Sequence, residues 1–348
     1  MTIWETIVTK RKYLMTAAFL SGFIVDNFTL TRIDLAMTVI VLSAYLFVAT
    51  LGFILVSISR GGALVPYATQ FAFGSLLSGY FIFFTRSASL AGSWFFILLL
   101  VVAIFGNEFL KEEYRRFELR ATMLFAAFFF FAIIYMPVML KSMGAWIFLL
   151  SGLVSLVAIW LVVRVVGYVA PEVVRTTRRT LIATIGGLFI GINVLYFANI
   201  IPPIPLSLKD AGVYHFVSRA QAGGYTGRAE SVEWYDVLGR YHPQFHHTQG
   251  EPVFFYSAVF APTALNTTTL HEWQYYNEQQ GAWVTTDRLS FRITGGRDGG
   301  YRGYSAKQSI LPGLWRVNVI TERGQLVGRT TFTVVEVPLT PILTSKTI

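Results

Sequence analysis

Residues 199–210 read Asn199-Ile200-Ile201-Pro202-Pro203-Ile204-Pro205-Leu206-Ser207-Leu208-Lys209-Asp210, and this stretch divides the chain between two solvents. Pro202, Pro203 and Pro205 lack the N–H that a helix needs, and each disfavours the α region for the residue before it. The last apolar helix must therefore stop by about Ile201, and a stiff Pro-rich hinge follows at 202–208. Before the hinge the residues suit lipid. After it they alternate, turn and carry charge in the manner of a water-exposed β domain.

Composition supports that division. Of 348 residues, 54% are hydrophobic and only 14% charged, few for a soluble chain of this size. Residues 1–204 hold 15 Lys and Arg against 8 Asp and Glu, whereas 205–348 hold 13 against 11. The positive excess belongs to the apolar half, where it reports orientation and lipid headgroups. The basic residues flank apolar runs and form no stripe, which argues against nucleic acid as a partner. With no Cys, disulfides, thiolate nucleophiles and thiolate metal sites are excluded.

Seven apolar runs lie at about 13–30, 35–58, 63–84, 88–110, 121–140, 144–166 and 181–201. Each has roughly the length that ~30 Å of hydrocarbon requires, and in lipid only a helix satisfies its own backbone across such a run. Residues 1–201 are thus predicted to form an α-helical polytopic membrane bundle. Lys10-Arg11-Lys12 before the first run is similar to the start of a signal peptide, but no small-x-small cleavage site follows, so a retained span is expected.

Lys10, Arg11, Lys12, Arg60, Lys111, Arg115, Arg116, Arg120, Arg164, Arg175, Arg178 and Arg179 fall on one side of these runs; Arg32, Arg86 and Lys141 fall on the other. Twelve against three places the N-terminus in the cytoplasm and, with seven spans, the C-terminal domain outside the cytoplasmic (inner) membrane. Two cytoplasmic connections are long: 111–120, read as a helical extension of the fourth span, and 167–180, read as lying on anionic headgroups.

Polar residues interrupt the spans at Asp26, Asn27, Gln70, Glu108 and Asn193. An ionisable residue inside a membrane is a functional candidate by default. Asp26 and Glu108, however, lie near span ends, within reach of interfacial water. Gln70 and Asn193 lie nearer the middle, where an amide can bond between helices. Gly187 and Gly191 make a small-xxx-small face that favours close helix contact within the bundle. Phe128–Phe131 is an unbroken block, so some of its rings are expected to face lipid.

From about residue 209 to 337 the period switches to two. Runs at 251–261, 269–276, 282–293, 301–308, 314–321 and 325–335 read as strands, as do shorter ones near 213–219 and 228–238. Trp315, Val317 and Val319 alternate with Arg316, Asn318 and Ile320. Short strands without helical runs predict an all-β antiparallel sandwich, Ig-like, ending at Pro338 and Pro341 with a frayed tail, 338–348.

The hinge followed by Lys209-Asp210-Ala211-Gly212-Val213-Tyr214-His215 resembles bacterial membrane proteins carrying the domain of unknown function DUF2914. So do His271-Glu272-Trp273, Gly295-Gly296-Arg297, Gly300-Tyr301-Arg302-Gly303-Tyr304-Ser305 and Pro312-Gly313-Leu314-Trp315-Arg316-Val317. The resemblance covers the hinge and most of 205–336. It implies a β domain outside the cytoplasm and carries over no catalytic residue.

His242, His246 and His247 lie close enough to suggest a metal, but Pro243 breaks any helical pair and no acidic cluster accompanies them, so a solvated loop is expected. Gly295–Gly300 is glycine-rich, yet a strand follows it where a phosphate cradle needs a helix. Arg297, Tyr301, Arg302 and Tyr304, with Trp273 as a further aromatic, form the candidate ligand-binding surface: forked donors beside aromatic faces suit sugars or carboxylates. No nucleophile, catalytic group, metal site or cofactor motif emerges. The favoured reading is a non-enzymatic envelope protein whose β domain binds a partner protein or glycan, with oligomerisation open. The alternative is a transporter, or a membrane subunit of a larger complex, with a polar path near Asp26, Gln70 and Asn193.

Overall fold

The computed structural model describes residues 26–30, 32–59, 62, 64–109, 116–220, 224–230, 243–262, 265–294 and 299–348. The chain divides into two compact units, Met1–Arg86 with Trp94–Ile204, and Ser87–Ser93 with Pro205–Ile348.

The first unit is helical: α1 (Ala36–Ser57), α2 (Val65–Ser87), α3 (Leu90–Phe109), α4 (Phe117–Leu140), α5 (Ala145–Val169) and α6 (Pro171–Phe197). Among the described residues α1, α4, α5 and α6 are long and apolar enough to cross a membrane, and Ala91–Ile104 is a shorter apolar stretch. Residues 13–25 of the first expected span lie outside the described residues, as do 111–115 of the connection read as a helical extension; Asp26–Thr29 form one helical turn.

α4 is the central helix. It buries Phe129 and Phe130, then Ile133, Ile134 and Tyr135. Successive positions on a helix point about 100° apart, so burial of neighbours in sequence means partners on several sides. Phe129 packs against Phe148 of α5 at 5.5 Å and stacks on Phe189 of α6 at 5.9 Å, while Phe130 meets Phe84 at 5.6 Å and Phe96 at 6.1 Å. The Phe128–Phe131 block is therefore largely core, with Phe128 and Phe131 only half-buried. Phe47, Phe71 and Trp94, scattered over other helices, are more exposed than any ring of the block.

Polar links tie the helices. Tyr80 Oη donates to the Ala127 carbonyl (2.8 Å), Ser151 Oγ to the Ala132 carbonyl (3.2 Å), and Thr122 and Thr184 hydroxyls meet at 2.8 Å. No run of glycines does this work at 187 and 191: a Cβ added at either meets nothing within 4 Å. Close approach occurs instead at Gly52, where a Cβ would collide with Thr69 of α2.

The expected 167–180 connection is also helical. Pro171 occupies the first turn of α6, where its missing N–H costs no bond, so the chain turns at Ala170 and starts a new helix at once. Arg175, Arg178 and Arg179 thus lie on α6. That helix ends as the opening stretch requires. Asn199 adopts φ +58°, Ile200 N–H reaches the Leu195 carbonyl (2.9 Å) and Asn199 N–H the Tyr196 carbonyl (3.0 Å). This is a Schellman cap with Asn in the left-handed position usually held by Gly.

The second unit is β: β1 (Ser207–Tyr214), β2 (Phe216–Arg219), β3 (Tyr225–Glu230), β4 (Gln244–His247), β5 (Val253–Phe260), β6 (Asn266–Asn277), β7 (Ala282–Thr294), β8 (Tyr301–Lys307), β9 (Gly313–Thr321), β10 (Leu326–Glu336) and β11 (Leu343–Thr347). They form three sheets, ordered β1-β5-β8, β4-β10-β9-β6-β7 and β11-β3-β2. One pair departs from the antiparallel expectation: β4 lies parallel to β10. β1 begins at Ser207, inside the expected hinge, because a bulge between Leu208 and Asp210 lets it pair with β5.

The tail is not frayed. β11 pairs with β3 from Leu343↔Glu230 to Thr347↔Thr226, and Ile348 is buried among Tyr214, Val217, Phe254 and Tyr256. Backbone bonds run both ways between Ile348 and Tyr225. Pro338 and Pro341 end β10 without ending the domain, because the chain returns to cover a sheet edge.

Candidate functional site

The five-stranded sheet has one dry face and one charged face. On β6, His271 and Trp273 point to the dry side and Glu272 and Gln274 to the other, because successive strand residues alternate. On the dry side His271 Nε2 meets Ser257 Oγ of β5 (2.7 Å) and Nδ1 meets Ser305 Oγ of β8 (2.9 Å). Trp273 Nε1 also donates to Ser305 Oγ (3.0 Å). Burial pushes His271 down to about 3, so the ring is neutral and donates from one nitrogen while accepting at the other. Ser257, His271 and Ser305 are all buried, and this Ser–His contact joins two sheets without reaching solvent.

The charged face is built by register. Arg329 of β10 stands opposite Asn318 of β9, Asn318 opposite Glu272 of β6, and Glu272 opposite Arg288 of β7. The neighbouring row is Thr331, Arg316, Gln274 and Thr285. Side chains bond within and between these rows. Glu272 accepts from Arg288 Nε (2.9 Å), Asn318 Nδ2 (3.0 Å) and Gln274 Nε2 (3.1 Å). Gln274 Oε1 accepts from Arg316 Nε (2.6 Å) and Asn318 Nδ2 (3.1 Å), and Asn318 Oδ1 accepts from Arg329 Nε (2.7 Å). The Arg316 guanidinium lies over the Trp283 ring, 4.1 Å from its centre, and Trp283 leans on Tyr276 at 5.2 Å.

One guanidinium, that of Arg288, therefore pairs directly with the Glu272 carboxylate, and those of Arg316 and Arg329 are linked to it through Gln274 and Asn318. Glu272 and Asn318 are buried beneath them, while Arg316 and Arg329 are half-exposed and Arg288 is exposed. Burial first, and then Arg329, push Arg316 down to about 10; burial pushes Arg329 down too, with Glu272 opposing in both cases. Each of Arg316 and Arg329 spends only its Nε on a hydrogen bond among the described residues. Their Nη groups stay available to an acceptor.

The surface proposed from sequence does not assemble in one place. Arg297 lies outside the described residues. Tyr301, Arg302 and Tyr304 all lie on β8, but alternation puts Tyr301 on the face opposite Arg302 and Tyr304. Tyr304 packs on Tyr225 (5.8 Å) and Phe254 (6.0 Å), and Arg302 lies close enough to Tyr256 to oppose the burial that pushes that phenol up to about 12. Trp273 is fully buried, so it cannot belong to a surface; its indole anchors Ser305 instead.

The histidines separate as well. His242 lies outside the described residues. His246 Nδ1 (2.7 Å) and His215 Nε2 (3.0 Å) grip the two oxygens of Glu230, linking β4 and the β1–β2 corner to β3, and His247 Nε2 donates to the Glu251 carbonyl (2.8 Å). Burial raises Glu230, but these hydrogen bonds outweigh it and hold the carboxyl below its ordinary value of 4.5. Among the described residues no group of three or more His, Cys, Asp or Glu is arranged to hold a metal ion.

In the helical unit, Ser78 Oγ donates to Asp26 (3.0 Å), and Arg86 donates to Asn27 and the Leu30 carbonyl. Asn193 Nδ2 donates to the Phe189 carbonyl one turn back in α6 (2.8 Å), so its amide does not bridge helices as expected. Gln70 is half-buried on α2, and the side chain of Glu108 lies outside the described residues.

The architecture defines a class: a helical region with, among the described residues, four helices long and apolar enough to span a membrane, joined to a separate β domain. Residues 266–334 match the family model described as "Protein of unknown function (DUF2914)", a span that contains β6, β7, β8, β9, most of β10, and every charged-face residue named above. No curated protein matches the chain. Among solved structures, the Pseudomonas fluorescens alkylpurine DNA glycosylase AlkC bound to DNA containing an abasic site analog aligns over 87% of this chain and 99% of its own. Its identity is 10% and its TM-score 0.22, too low to indicate a shared fold.

Proposed function

We propose that this chain is a multi-pass protein of the cytoplasmic membrane whose β domain faces outward and, without catalysis of its own, binds a protein or glycan of the cell envelope. The observation that carries the reading is the charged face, where Arg288 pairs with Glu272, and Arg316 and Arg329 are tied to the same lattice through Gln274 and Asn318, in the part of the chain matched by the family model. A surface kept merely for solubility intersperses its charges and does not order them through a shared hydrogen-bond lattice. The reading counts seven spans, the first of them (13–30) taken from sequence, and treats the β unit as an Ig-like sandwich. Support for the sandwich comes from the His271 and Trp273 bonds that join two sheets across their dry faces. Support for the orientation comes from the twelve-to-three distribution of Lys and Arg.

Two measurements test it. Protease added to intact spheroplasts should cut the β unit, and inside-out vesicles should protect it; the reverse pattern overturns the topology. Crosslinking in native membranes, followed by purification of the full chain, should recover an envelope protein or glycan attached to residues 266–334. Crosslinks confined to the helical unit would favour the second reading, a transporter or complex subunit, for which the Asp26–Ser78 pair is the supporting observation.

A further inference from the structure

We propose that the charged face of the β6, β7, β9 and β10 sheet is a binding site for the carboxylate of an acidic saccharide, taken by the free Nη groups of Arg316 and Arg329. This rests on the reading that the β domain binds an envelope component, and it names the chemical class and the residues.

The charge balance comes first. Glu272 is the carboxylate that acts on Arg316 and on Arg329, and it is already shared among Arg288, Asn318 and Gln274. One negative charge among three fixed positive ones leaves a site whose cheapest neutralisation is an added anion.

Preorganisation comes second. The Arg316 and Arg329 side chains are held by their Nε atoms, through Gln274 and Asn318, whose amides are bonded to each other (3.1 Å). An anion that binds here does not have to order the two arginine side chains, so less of its interaction energy is lost to conformational entropy. The planar fork of a guanidinium matches a carboxylate.

Beside the fork stand Trp283, with the Arg316 guanidinium over its ring, and Tyr276; the two partly exposed rings adjoin at 5.2 Å with their planes inclined at 60°, and they give an angled aromatic wall for the C–H faces of a sugar. The opposite face is already satisfied: Ser257, His271 and Ser305 are buried and paired with one another, and Asp287 is paired with Lys307. The acid belongs on the outer rows.

The test uses the full chain in an uncharged detergent, with glucuronate, glucose and inorganic phosphate as probes, read by saturation-transfer nuclear magnetic resonance. Glucuronate should bind, glucose should bind at least about tenfold more weakly, and affinity should fall as sodium chloride is raised. Arg316→Gln and Arg329→Gln should each weaken glucuronate by about tenfold, the scale of one charge-assisted hydrogen bond.

Glu272→Gln keeps an acceptor for Arg288 while removing the internal counter-charge, and it should tighten glucuronate binding. Equal binding of glucose, salt-independent binding, or variants that melt like the parent and bind unchanged would overturn the proposal. Phosphate bound as tightly as glucuronate overturns the saccharide assignment. If the chain still captures an envelope partner while both arginine variants leave that capture intact, this site falls and the broader function stands.

Discussion

His271 Nε2 and Ser257 Oγ lie 2.7 Å apart, with both residues buried between two sheets of the β unit. The contact is a structural bolt. His271 serves it in the neutral form, held well below its ordinary value of 6.5 by burial.

That depression makes the β unit sensitive to acid. The folded value of about 3 lies below the unfolded value, so the unfolded chain takes up a proton first as pH falls. The stabilising effect is whole above about pH 6.5 and is lost progressively down to pH 3, at up to about 1.4 kcal/mol per pH unit. Thermal melts of the full chain at stepped pH should show the slope, and His271→Asn should flatten it. A variant with the parental slope would contradict the assignment.

Ser305 Oγ serves both His271 and Trp273, whereas Ser257 Oγ serves His271. Ser305→Ala should therefore cost more than Ser257→Ala, about 2–3 kcal/mol against about 1 kcal/mol, because it strands two buried groups instead of one. Denaturant midpoints followed by tryptophan fluorescence give the order, and the reverse order would contradict the network.

In the helical unit, a Cβ at Gly52 would come within 2.0 Å of Thr69 Oγ1, a hydroxyl already bonded to the Val65 carbonyl. Gly52→Ala should destabilise the α1–α2 contact by roughly 1–3 kcal/mol. Gly187→Ala meets open space and should be neutral, or stabilise α6 by up to about 1 kcal/mol through helix propensity. Detergent melting temperatures compare them, and a larger loss at Gly187 would refute the packing described.

Removing residues 342–348 deletes β11 and withdraws Ile348 from its cluster with Tyr214 and Tyr256. Amides of Thr226–Glu230 that pair with β11 should then exchange with deuterium much faster, while those of β9 stay protected. Unchanged exchange in β3 would show the tail to be dispensable.

Much of the site was within reach of the sequence. Arg316 and Asn318 alternate with Trp315, Val317 and Val319, and Glu272 and Gln274 alternate with His271 and Trp273, so their common outward sense follows from a period of two. What one chain read in order does not contain is which outward residue of β6 stands beside which of β9. A slip of one residue would turn every side chain to the other face. The candidate surface at Tyr301, Arg302 and Tyr304 is divided by that same period of two, which turns Tyr301 away from Arg302 and Tyr304. Trp273 failed because its surroundings are supplied by Phe255 and Ser305 from other strands.

By itself the sequence determined the change of solvent near residue 200, because long apolar runs and a triple of prolines act locally and leave the backbone few choices. Only the tertiary structure decided that α4 sits at the centre of the helices, that the last strand returns to close a sheet, and that Arg288, Arg316 and Arg329 join one lattice with Glu272, Gln274 and Asn318. Each of those depends on pairings between residues far apart in the chain, which are fixed by cross-strand register and by packing and not by any local preference.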